Sequence, residues 1–165
     1  STMREEFMDI LKEIAEEIYE AEDFFDVVSY VLMHKVALAD EDLSGDEKLK
    51  IKEITKLSRR SNSLTTAFMK EEICFALISK LFVKKFPDDE IVRTELINNL
   101  IFIAEADGDV SDTEIMKLSE ICLEIGVNNK LLKDILNQRP LKDNQVDKET
   151  FAGPLDDVFD EFELE

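Results

Sequence analysis

The chain has 165 residues, 44% of them hydrophobic, which suits one packed domain and is too apolar for a chain disordered throughout. Its 39 acidic residues outnumber 20 basic ones, and the formal charge of −19 disfavours nucleic-acid backbones and anionic membranes. The same field favours divalent cations, a basic protein partner or plain solubility.

Glycine and proline are scarce, strand-like alternation is absent, and apolar spacing is helical almost everywhere. Ser1 and Thr2 before Met3, and the final Leu-Glu, resemble cloning remnants. The first helix carries charge throughout, so no secretory signal is expected. Phe7, Ile10, Leu11, Ile14 and Ile18 form its predicted apolar stripe, with Thr2 and Glu5 spaced as a capping box. "DFFDVVSYVLMHKVALA" opens at Asp23 and is apolar on most sides, the pattern of a central buried helix. A third helix follows Ser44, with Leu49, Ile51, Ile54 and Leu57 expected inward and lysines outward. "RRSNS" reads as a loop. "LTTAFMKEEICFALISKLFVKKF" reads as one long fourth helix stopped at Pro87. Asp88 is expected to cap the fifth helix, Ser111 to open the sixth and Gly126 to close it. "NKLLKDILNQ" makes a short seventh, ended at Arg139 and Pro140. Apolar runs such as "ICFALISKLFV" stop well short of the ~20 residues of a membrane span. Cys74 and Cys122 stand far apart on apolar helical stretches, as buried reduced thiols of a cytosolic protein do.

From Pro140 the pattern changes to a linker. The chain then ends in "PLDDVFDEFELE", where Leu155, Val158, Phe159 and Phe162 lie at i, i+3, i+4 and i+7. This acidic amphipathic segment reads in two ways. It packs back on its own domain, or it is a partner-binding peptide for a groove on another protein.

Residues 37–54 repeat at 104–121. Ala37, Ala39, Asp40, Asp42, Ser44, Glu47, Lys50, Glu53 and Ile54 each recur sixty-seven positions later, nine matches in eighteen. Apolar character persists upstream at Tyr30/Ile97, Met33/Leu100 and Val36/Ile103. The chain therefore reads as a duplicated helix–acidic turn–helix hairpin, 30–57 and 97–124, with further helices around it. Ser44 with Glu47, and Ser111 with Glu114, have the S-x-x-E spacing of a capping box. Asp40 and Asp107 end helices, where the dipole disfavours a carboxylate, so turn amides, a neighbouring lysine or a cation should compensate. Asp42 and Asp109 add a second carboxylate two residues on.

An EF-hand loop takes acids at its first, third and fifth positions, Gly at the sixth and Glu at the twelfth. Counted from Asp40, the loop supplies Asp42, Ser44 and Gly45, but Ile51 stands at the twelfth. Counted from Glu105, it supplies Asp107, Asp109 and Glu114, but runs two residues short without the central Gly. The metal reading is therefore a non-EF carboxylate site of Asp40, Asp42, Glu47, Asp107, Asp109 and Glu114. Its candidate cation is calcium or magnesium, and no obligate cofactor is expected.

The motif Ala104, Ala106, Asp107, Gly108, Val110, Ser111, Glu114 resembles that of the TerB-like family. This family includes the tellurite-resistance protein TerB and the N-terminal part of some membrane-anchored J-domain co-chaperones. The first copy keeps Ala37, Ala39, Asp40, Ser44 and Glu47 but has Glu41 in place of Gly108. The resemblance covers about 24–137 and implies an all-α bundle, about seven helices here, with internal pseudo-symmetry and an acidic surface. It also implies roles in metal-linked stress response and complex assembly. Residues 1–139 are then the TerB-like domain, and 140–165 a linker and acidic tail that the resemblance does not cover.

The single histidine, His34, aligns with Ile101 on an apolar helix, which suits a partly buried residue better than a catalytic base. No nucleophile triad, phosphate-cradling Gly loop, zinc spacing or E-x-x-H pair is present. The sequence thus predicts a non-catalytic cytoplasmic module for a protein partner with a basic surface, without nucleic-acid binding or membrane insertion. A metal-binding protein and an acidic inhibitor or immunity-type protein are the alternatives.

Overall fold

Residues Phe24–Ala37 are apolar on nearly every side, so they need cover on every side, and the fold is arranged to give it. The structure is a computed structural model; it describes residues 2–138 except 41, 42, 107 and 109, and at 40 the backbone alone. Among the described residues it has eight α-helices and no strand. These are α1 (Met3–Glu20), α2 (Phe24–Ala37), α3 (Gly45–Thr55), α4 (Arg59–Phe68), α5 (Cys74–Lys85), α6 (Glu90–Ala104), α7 (Asp112–Glu124) and α8 (Asn129–Asn137). A 3-10 turn, Leu38–Asp40, continues α2.

The predicted central helix is α2. It packs most extensively on α6 and also touches α1, α3, α4, α5 and α7. Val27, Val28, Val31, Leu32, Met33 and Val36 are fully buried along it. Each such side chain contributes roughly 1.5–3 kcal/mol by leaving water. One polar clip crosses the α2–α6 interface, where Asn99 Nδ2 donates to the buried Ser29 hydroxyl at 3.1 Å.

The duplication is visible in the element bounds. Shifted by sixty-seven, α2 falls on α6 and α3 on the start of α7. The contacts are reciprocal as well. Helix α3 packs on α6, and α7 packs on α2. Lys50 of α3 lies 5.8 Å from the Phe102 ring of α6. At the equivalent place Lys117 of α7 and Lys35 of α2 both reach Glu120, at 3.4 and 4.0 Å.

Several local expectations change. Residues 59–63 begin α4 instead of forming a loop, and the predicted long helix is two helices broken at Met69–Ile73. The Ser58 hydroxyl caps α4 by accepting from Ser61 N at 3.1 Å. Asp23 then takes Ser58 N at 3.0 Å and the Ser61 hydroxyl, from more than thirty residues away. Helix α4 lies mainly on α1, whereas α5 lies mainly on α2 and reaches α7, so the chain turns between them. On α1 the buried line is Leu11, Ala15 and Ile18, and Phe7 and Ile10 face solvent, because small Ala15 allows close approach there. Leu49 is not inward but 59% exposed; α3 buries Glu47, Ile51 and Thr55, and Leu49 lies across the helix from that line. Asp89, not Asp88, caps α6 by accepting from Val92 N at 3.0 Å. Asp88 instead takes the left-handed turn after Pro87, with φ of 56°.

Other expectations hold. The Thr2 hydroxyl accepts from Glu5 N at 3.1 Å, which is one half of the capping box expected there. Gly126 adopts φ of 79°, and Val127 N bonds Cys122 O at 2.8 Å, closing α7 with a Schellman turn. Cys74 and Cys122 are buried free thiols, pushed up by burial to about 11 and about 12, so neither is a nucleophile at neutral pH.

Asp23 generates a pH prediction. Burial works against its ionisation, but bonds from Ser61 and Ser58 outweigh it and hold the carboxyl below the usual aspartate range. A lowered folded pKa stabilises above the unfolded value and is lost as pH falls through the folded one. Asp23→Ala should cost about 1–2 kcal/mol at neutral pH, discounted for partial exposure. It should also flatten the acid limb of stability below about pH 4. Thermal melts of both proteins from neutral to acid pH check this.

Candidate functional site

The repeated serines both sit in extended conformation, with φ and ψ of −68° and 160° at Ser44 and −74° and 159° at Ser111. That geometry aims each hydroxyl back at the helix it precedes. Ser44 Oγ accepts from Glu47 N at 3.1 Å, and Ser44 N donates to Glu47 Oε1 at 3.0 Å. Ser111 and Glu114 repeat the pair at the same two distances. Both capping boxes predicted from the sequence are therefore complete. Glu47 is 2% exposed and Glu114 3%. Buried carboxylates are costly unless hydrogen-bonded, and here each one accepts its own N-cap amide.

The C-terminal end of α6 is neutralised from the other repeat. Lys50 Nζ, half-buried, donates to Ala106 O at 3.4 Å. A lysine at a helix C-terminus offsets the dipole and satisfies an orphan carbonyl. Turn amides contribute too: Ala106 N bonds Ile103 O at 3.1 Å and Gly108 N bonds Glu105 O at 2.9 Å. These bonds satisfy backbone carbonyls; what meets the carboxylates of Asp40 and Asp107 lies outside the described residues. Gly108 has φ of 95°, and a Cβ added there would meet nothing within 4 Å. Glycine is required at 108 by backbone conformation, not by space. Ala37 and Ala104 are buried where the hairpin helices approach.

Of the six carboxylates proposed for a cation, the structure places Glu47 and Glu114, at the buried starts of α3 and α7. The side chain of Asp40, and Asp42, Asp107 and Asp109 altogether, lie outside the described residues, as do Leu155, Val158, Phe159 and Phe162. Among the described residues no group of three or more His, Cys, Asp or Glu could hold a metal ion. His34 is half-buried, its Nδ1 donating to Tyr30 O at 2.6 Å with the two rings 4.4 Å apart. Burial, and secondarily the charge of Lys48, hold it below its ordinary pKa, so it is neutral at pH 7. Its proton on Nδ1 is committed to the helix backbone.

Sequence reasoning missed the Asp23 clasp and the cluster of Lys35, Glu120 and Glu124. Lys35 Nζ lies 3.3 Å from Glu124 Oε1 and 5.9 Å from the Phe75 ring centre, tying α2, α5 and α7 together. The role of Lys50 had a signal, since it is one of the nine repeated identities. Asp23 had none, because its partners are distant in sequence.

The family model described as tellurite resistance protein TerB matches residues 30–136. The chain belongs to the TerB family. No curated protein and no solved structure matches it. The TerB match begins at Tyr30 and takes in both acidic turns and most of α8; α1 precedes it. No described helix of this TerB protein is long and apolar enough to cross a membrane.

Ser111→Ala should destabilise the fold by about 0.5–2 kcal/mol through loss of the cap. Gly108→Ala should cost about 1–2 kcal/mol from the left-handed backbone alone. Chemical denaturation of both variants checks these values, and an unchanged midpoint for Ser111→Ala would remove the capping account.

Proposed function

We propose that this TerB domain is a non-catalytic, cytoplasmic interaction module of a stress response, acting on a protein partner with a basic surface. The observation that carries this reading is the use of Glu47 and Glu114 as buried caps. The repeated motif then supports a rigid scaffold for an acidic surface rather than a ligand set of six carboxylates. The charge of −19 supports a basic partner, including an inhibitor-type role on a basic enzyme or toxin, because such a field steers cations and basic surfaces inward. Leu155, Val158, Phe159 and Phe162 are the apolar contacts proposed for that partner. A divalent-cation role, calcium or magnesium, would rest on Asp40, Asp42, Asp107 and Asp109, and is the second reading because the family includes metal-linked resistance proteins.

Two measurements test the assignment. In calorimetry with calcium and with magnesium at physiological salt, wild type and Asp107→Asn should give the same weak, non-saturating uptake. A saturable isotherm lost in Asp107→Asn would move the function to cation binding. In affinity capture by the full chain, the retained proteins should be basic and should elute as salt rises. Capture indifferent to salt would sink the electrostatic reading.

A further inference from the structure

The two halves of the repeat are not covered alike. In the second half, α8 packs on both α6 and α7. Ile115 and Ser119, on one flank of α7, are 3% and 0% exposed. In the first half, α4 occupies the equivalent place in the chain order but packs on α1 and α2. The positions of α3 that correspond to Ile115 and Ser119 are Lys48 and Lys52, and both are exposed. Lys56, also exposed, extends the row by another four residues. A groove of about 230 Å³ runs beside it, lined by Tyr30, Lys52, Thr55, Lys56, Leu57 and Asn62. Leu49 adds exposed apolar surface next to Lys48.

This row is unusual within so acidic a chain. Among the described residues, none of Lys48, Lys52 and Lys56 forms an ion pair. Like charges four apart on a helix repel. The flank is thus buried in one half and lined by exposed lysines in the other.

We propose that the lysine flank of α3 is the docking surface for the chain's own C-terminal segment, residues 154–165. The segment lies outside the described residues, and three features of the sequence suit it to this surface. Ahead of the final Leu-Glu, its charged residues are Asp156, Asp157, Asp160, Glu161 and Glu163, with no Lys or Arg among them. Asp157 and Glu161 repeat the four-residue step of Lys48 and Lys52. Leu155, Val158, Phe159 and Phe162 supply an apolar stripe for Leu49, Leu57 and the Tyr30 ring. Reach is sufficient: the residues from 139 to 154 span up to roughly 50 Å when extended, against a domain some ~35 Å across. Tethering also supplies an effective concentration in the millimolar range. Docking in cis would set the tail in competition with a basic partner; that competition rests on the proposed function, whereas the cis contact does not.

Zero-length carbodiimide cross-linking of the purified full chain, read by peptide mass spectrometry, tests the contact. Isopeptide bonds from Asp157, Asp160 or Glu161 should concentrate on Lys48, Lys52 and Lys56 and avoid the exposed Lys80 and Lys130. Lys48→Glu with Lys52→Glu should abolish them. Adding Asp157→Lys and Glu161→Lys should restore a bridge of reversed polarity, with thermal melts confirming that each variant is folded. An equal mixture of isotopically heavy and light protein separates the alternatives. Bonds within one isotope class support docking in cis; bonds equally shared between classes, spread over all exposed lysines, or not restored by the charge swap overturn it.

Discussion

The packing of α2 against α6 is the constraint from which the rest follows. No residue of α2 is exposed, and α6 buries Leu96, Ile97, Leu100, Ile101 and Ile103 while leaving Ile91, Glu95, Asn98 and Phe102 to solvent. Each needs its hairpin partner on one side and the opposite repeat on another. Helix α3 therefore reaches α6, and α7 reaches α2. The acidic turns join the buried helix of each hairpin to the one that covers it, and so their lengths and caps are fixed. Lys50 illustrates the dependence: it belongs to the first repeat but satisfies the helix end of the second.

Electrostatics in this domain concerns association more than folding. A net charge of −19 is tolerated because most carboxylates remain in water, where salt screens them beyond about 10 Å. The buried acids Glu47 and Glu114 each accept the amide of their own N-cap serine at a helix N-terminus, where the dipole favours a carboxylate. Exposed ion pairs such as Arg60–Glu17 add little to stability. Lys35 is the exception in kind, since it is mostly buried among Phe75, Glu120 and Glu124 and links three helices.

Much of this was readable from local pattern. The repeat, both capping boxes, the buried α2, the Gly126 stop and the TerB resemblance all come from short-range spacing, which propensity and capping chemistry control. The misreadings share a different cause. The start of α4 is capped locally by Ser58 but clasped by Asp23 from thirty-five residues away, and the break before α5 depends on which neighbours each helix must meet, which is not encoded nearby. Phe7, Ile10 and Leu49 fit an apolar period, yet the neighbouring helices meet α1 and α3 along narrower lines than the period suggested. Asp88 and Asp89 are both plausible caps, and the turn after Pro87 decides between them. The side chain of Asp40, the other three turn aspartates and the tail lie outside the described residues.

The field of the whole molecule bears on what the lysine row of α3 can recognise. A free acidic peptide approaching this domain meets a repulsive potential before it meets three lysines, and its encounter rate falls accordingly. A segment joined to the domain escapes that barrier, because its local concentration is set by the linker and not by diffusion. A basic partner has the opposite experience: the acidic surface attracts it, while the lysine row repels it at one place. The same chain can therefore keep an acidic tail close and draw a basic surface in, provided the two compete for the tail. Duplication makes the arrangement accessible, since the second half already buries the equivalent flank at Ile115 and Ser119, and the lysines at the equivalent positions of α3 change the chemistry of what can lie there.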